Sequence, residues 1–144
     1  MKNKLLKFSL FAFVLFMLVS LTGCSILKET SERAKNTTNE FFNYVTSDDY
    51  EGASTMLHPD GNINASNLDD YLLSIEESCN IDFSNGFKIN STTSINIQSG
   101  DNDYDDGTVY EVNYKTTIDG KYLDLYIIIV DNDNGFGVYY FTID

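Results

Sequence analysis

The residues able to do chemistry fall in a few places along the chain. Asp101-Asn102-Asp103-Tyr104-Asp105-Asp106-Gly107 sets Asp101, Asp103 and Asp105 at alternate positions, where their carboxylates offer hard oxygens of the kind calcium takes. An EF-hand loop wants Gly at its sixth position and a bidentate acid at its twelfth. Counted from Asp101, those places hold Asp106 and Val112. Asp131-Asn132-Asp133-Asn134-Gly135 is a second, shorter acidic turn. Solvated hairpin loops on an acidic protein explain both runs, so no metal site is expected; Asp101, Asp103 and Asp105 are the fallback ligands. His58 is the only histidine and the natural general base near neutral pH. It precedes Pro59 at the end of a predicted helix, which is a capping or surface position. Asp124 and Glu111 would be the acids of a buried site, yet their neighbours alternate as those of solvent-facing residues do. No acid, base and nucleophile converge, so the expectation is a non-enzymatic protein without a cofactor. Cys79 falls on an apolar helical stripe and reads as a small buried hydrophobe. The ten Tyr and ten Phe, 14% of the chain, leave two readings of the sheet open. Tyr110, Tyr114, Tyr122, Tyr126, Tyr139 and Tyr140 of the predicted sheet either form a binding platform, for which tyrosine offers area and a polar tip, or fill an ordinary core, with Tyr110, Tyr114, Tyr126 and Tyr140 as the candidate binding residues.

Cys24 stands in a more specific setting. Lys2, Lys4 and Lys7 make a short positive region, and Phe8 to Leu21 is an uncharged apolar run too short for a comfortable membrane span. The run ends in Leu21-Thr22-Gly23-Cys24. This resembles the bacterial lipobox, an aliphatic residue and two small residues before Cys. The resemblance implies that the Cys24 thiolate takes a diacylglycerol and that the chain is cut before it. The competing reading, an uncleaved anchor helix with an incidental cysteine, does not explain why basic region, apolar core and box occur in this order. Residues 1–23 are then a signal peptide, 24–32 a lipidated tether and 33–144 a single α+β domain. Stable anchoring needs two chains, which a diacylglycerol supplies. The expected location is the extracytoplasmic face of a bacterial membrane.

Composition limits the partners. The formal net charge is −13, and cleavage removes three lysines and no acid. Nucleic acid is excluded, because phosphate binding needs clustered positive charge. Anionic headgroups repel such a domain, so the lipid, and not the folded body, is what meets the bilayer. Two Cys and one His exclude a disulfide scaffold and a zinc cluster.

The positioning elements follow from periodicity. Ser25 to about Glu32 lacks an apolar period. Ala34, Thr38, Phe41, Phe42 and Val45 share a helical face. Ser47-Asp48-Asp49 ends that helix and caps a shorter one, in which Tyr50, Ala53 and Leu57 align. Asn67 caps a third, striped by Leu68, Tyr71, Leu72, Ile75 and Cys79. After Gly86 the period becomes two. Phe87, Ile89, Ile95 and Ile97 share one face of a strand. Strands follow over about 108–118, 121–130 and 136–143, with Asp119-Gly120 as a hairpin turn. The run from Tyr126 to Val130 is apolar on both faces, so its strand is central or covered twice. Leu123, Leu125, Ile127 and Ile129 have no polar member and are expected to face the helices. The opposite set contains Asp124.

Helices first and an antiparallel meander afterwards give an α+β fold, about three helices on a bent four-stranded sheet. The order, and the stretch Phe41-Phe42-Asn43-Tyr44-Val45-Thr46-Ser47-Asp48-Asp49-Tyr50-Glu51-Gly52-Ala53, is similar to small extracytoplasmic lipoproteins of the cystatin-like, nuclear transport factor 2-like superfamily. That superfamily hosts isomerases, dehydratases and binding modules, so the fold does not choose among them. The leading expectation is a lipid-anchored binding domain for a protein or a small apolar ligand. The alternatives are an isomerase- or dehydratase-like enzyme on the same cone and a purely structural envelope lipoprotein.

Overall fold

The computed structural model describes residues 28–100 and 107–144. Cys24 and its box lie outside the described residues, as do Asp101, Asp103 and Asp105. Helix α1 covers residues 28–46. It therefore takes in 28–32, which sequence periodicity assigns to the tether. Lys28, Glu29, Glu32 and Arg33 are exposed, so no apolar period marks this turn. Helix-forming residues spaced four apart with opposite charge support it instead.

A compact unit spans Ala34–Asp144. Within it, Ala34, Thr38, Phe41, Phe42 and Val45 are all buried, which makes them the core face of α1. The short helix α2 (Tyr50–Ser54) starts where Asp49 accepts a hydrogen bond from the Gly52 N–H at 2.8 Å, as an N-cap should. Helix α3 (Leu68–Cys79) buries Leu68, Leu72 and Ile75. Asn67 holds its cap position without capping it. Its Oδ1 accepts from the Asn64 N–H and its Nδ2 donates to the Asn62 carbonyl, tying down the loop before the helix.

The sheet has the order β1-β2-β3-β4, antiparallel throughout, from β1 (Phe87–Gly100), β2 (Gly107–Ile118), β3 (Lys121–Asn132) and β4 (Gly135–Ile143). The β2–β3 turn has positive φ at both Asp119 (50°) and Gly120 (72°), the geometry that Asp-Gly adopts readily in a two-residue hairpin. Strand β1 contains two bulges, with Asn90 and Thr93 unmatched on β2. One bulge would turn the rest of the strand over; the second restores the parity. Phe87, Ile89, Thr92, Ile95 and Ile97 therefore all point to the same side.

That side is the helical one. Tyr110, Val112, Tyr114 and Ile118 of β2, Leu125, Ile127 and Ile129 of β3, and Val138, Phe141 and Ile143 of β4 join α1 and α3 in one core. The four-residue set from Leu123 to Ile129 faces the helices, as its lack of polar members predicts. Phe42 stacks on Phe87 (centroids 4.2 Å apart) and meets Phe41, Phe83 and Phe141 within 5.9 Å. The opposite face of β3 is also partly apolar. Val109, Ile128 and Val130 form a smaller cluster there, with Tyr126, Tyr139 and Tyr140 against it. This accounts for the unbroken apolar run of β3.

Candidate functional site

The four tyrosines named as candidate binding residues divide between the two faces. Tyr110 and Tyr114 are buried at 4% and 1% exposure under the helices, so they belong to the core and offer no surface. A signal for this exists in the sequence: Glu111, Asn113 and Lys115 alternate with them and claim the solvent side. The Tyr114 hydroxyl is hydrogen-bonded to Thr38 of α1, and burial raises its pKa despite that bond. Tyr126 lies on the other face, and Tyr140 packs against both the core and the cluster on that face. With Asn62, Ile128 and Tyr139 they line an open cavity of about 340 Å³. Tyr139 joins them because β4 bulges there: Ile128 pairs with Tyr140 while Ile129 pairs with Val138. Val138 and Phe141 both face the core; between them Tyr139 is turned to the smaller cluster, while Tyr140 packs against both clusters, with its hydroxyl beside Tyr71 of α3. Alternation alone places only one of the pair outside.

Among the described residues no helix covers this face, and the rest of it is polar. Asn90, Lys115, Tyr122, Asp124 and Asp144 border a second cavity of about 280 Å³. Asp124 is paired with Lys115 at 2.7 Å, and both side chains are 57% exposed. Glu111 accepts a hydrogen bond from Asn96 Nδ2 at 2.9 Å. Neither acid lies in an apolar pocket, so neither has the setting a catalytic acid needs. Exposed ion pairs contribute about 0–1 kcal/mol. Asp124→Asn is accordingly expected to change the unfolding free energy by no more than about 0.5 kcal/mol; chemical denaturation measures it.

His58 corrects the reading of a surface position. It is 1% exposed. Asn132 Oδ1 accepts from the backbone N–H of Asn134 and Gly135, which fixes that amide's orientation. His58 Nε2, 3.0 Å from the same oxygen, must then be the donor. Its Nδ1 in turn accepts from the Asp60 N–H at 3.1 Å. Both ring nitrogens are committed, so His58 locks the exit of α2 onto the β3–β4 turn. Cys79 packs against the core but is only half-buried, short of the burial its stripe predicts, with its Sγ 3.5 Å from the Ile143 carbonyl. Among the described residues no three His, Cys, Asp or Glu side chains gather as metal ligands. No helix among them is long and apolar enough to cross a membrane.

Tyr71 ties α3 to the sheet. Its hydroxyl donates to the Phe141 carbonyl. Burial, and then the neighbouring Tyr140 hydroxyl, push its pKa well above the ordinary 10.0. A raised phenol pKa in the folded state means that the unfolded chain gives up its proton first. The stabilisation is complete below pH 10 and is lost as pH rises from there through the folded-state value. Stability is therefore expected to fall with pH above 10, followed by tyrosinate absorbance and circular dichroism. Tyr71→Phe should flatten that slope.

No family model, curated protein or solved structure matches this chain.

Proposed function

We propose that this chain is a lipid-anchored, extracytoplasmic, non-enzymatic binding domain that engages its partner through the helix-free face of the sheet. The observation that carries this reading is the division of the sheet. One face is filled by the aromatic core, whereas the other gathers Tyr126, Tyr139 and Tyr140 around Ile128 at an open cavity. Half-buried tyrosines beside an aliphatic floor suit a small apolar ligand or an apolar protein side chain. The acids of that face are solvated or hydrogen-bonded, which favours binding over catalysis. The lipobox resemblance supplies the anchor at Cys24 and the location. Helices preceding a bulged antiparallel meander support a cystatin-like, nuclear transport factor 2-like cone as the finer description of the fold.

Photo-cross-linking tests the face. A benzophenone amino acid placed at Asn62 or Tyr122, both on the helix-free side, is expected to capture a partner from intact membranes. The same group at Leu73, exposed on α3, should not. Adducts at Leu73 with none at Asn62 or Tyr122 would contradict the assignment.

A further inference from the structure

The two edges of the sheet are finished differently. At β4, the Val138 N–H donates to the Met56 carbonyl and the Val138 carbonyl accepts from the His58 N–H, each at 2.8 Å. The segment before Pro59 thus pairs with that edge at Val138. Gly137 permits it, since a Cβ there would sit 2.6 Å from the Met56 oxygen. The bulge at Tyr139 also distorts the edge against further pairing. At β1, the bulges at Asn90 and Thr93 do the same for the first half of the strand. From Ser94 to Ser99 the ladder with β2 is regular. This half has no bulge, no charge and no proline, and only Ile97 among its residues is not exposed. The usual guards of an edge strand are missing from it.

We propose that Ser94–Gln98 pairs antiparallel with the same segment of a second copy of this chain, about a two-fold axis at Asn96. A two-fold contact must be self-complementary, and this register is. It sets Asn96 against its own counterpart and Ile95 against the partner's Ile97, twice by symmetry, on the helical side of both sheets. Ile95, 36% exposed in one copy, is covered in the pair. Electrostatics favours this place over others. The chain carries a net −13, so two copies repel over most of their surfaces, while Ser94–Ser99 carries no charge. Asp101 follows Ser99 by two residues in the sequence; the nearest acid among the described residues, Glu111, faces Asn96 from one strand back. The two copies of it stand roughly three strand spacings of ~4.8 Å apart, beyond the screening length of about 8 Å at physiological salt. The pairing uses the edge of the sheet and leaves its helix-free face open, so it does not depend on the binding role proposed above.

Directly opposed residues of antiparallel strands have Cα atoms about 4.5–5.5 Å apart, within the range a disulfide spans. The full-length chain carrying Cys79→Ala and Asn96→Cys, oxidised mildly in membranes, is expected to give a species of twice the monomer mass that reducing agent abolishes. The Cys79→Ala chain alone should give none, and neither should that chain with Tyr122→Cys, whose position is 87% exposed on β3. Adding Ile95→Lys should remove the dimer, because it puts a charge against the partner's Ile97, while leaving the unfolding midpoint of the dilute, monomeric chain unchanged. The proposal is overturned if the Asn96→Cys chain stays monomeric while its thiol reacts with maleimide. It is equally overturned if Tyr122→Cys cross-links as well, or if the Asn96→Cys chain joins only proteins of other masses.

Discussion

Phe42→Ala is expected to lower the unfolding free energy by about 3–5 kcal/mol, a large share of the 5–15 kcal/mol typical of a domain. The size follows from position. Phe42 is fully buried and its ring touches Phe41, Phe83, Phe87 and Phe141, which come from α1, the turn after α3, β1 and β4. Removing it opens a cavity where helix and sheet meet, and its rigid aromatic neighbours collapse into the space only partly. Ile127→Ala, on the facing strand, should cost about 2–5 kcal/mol for the same reason. Urea unfolding should show lower midpoints with unchanged slopes. A cost below about 1 kcal/mol at Phe42 would mean that α1 does not cover this face.

Much of this arrangement is legible residue by residue. The stripe on α3, the Asp119-Gly120 turn and the inward set on β3 are local patterns, and local patterns survive into the fold because each agrees with the packing around it. Where agreement depends on distant partners, the sequence is silent. His58 looks like a surface cap until Asn132, 74 residues away, is beside it. Tyr139 reaches the candidate cavity only because β4 bulges, and nothing in Val138-Tyr139-Tyr140-Phe141 announces a bulge. The first turns of α1 were hidden for a different reason. They are solvated, and a helix with no buried face has no apolar period to find. Tyr110 and Tyr114 were legible as core from their charged and polar alternates, but their chemistry invited a binding role.

The second large effect concerns Cys24, on which the proposed location and mode of action rest. A thioether-linked diacylglycerol makes the difference between a membrane-held domain and one released from it, since two acyl chains bind stably where one is marginal. In the proposed modification the thiolate is the nucleophile that takes the lipid, so no other side chain should substitute for it. Serine keeps the size and loses the reactivity. The measurement is incorporation of an alkyne fatty acid into the full-length protein in bacterial cells, read beside its electrophoretic size and its membrane fraction. The wild-type chain is expected to label, to run at the mature size and to sediment with membranes, whereas Cys24→Ser should lose all label and accumulate as the unprocessed precursor. Label and mature size persisting in Cys24→Ser would contradict the lipid anchor and the location proposed for this domain.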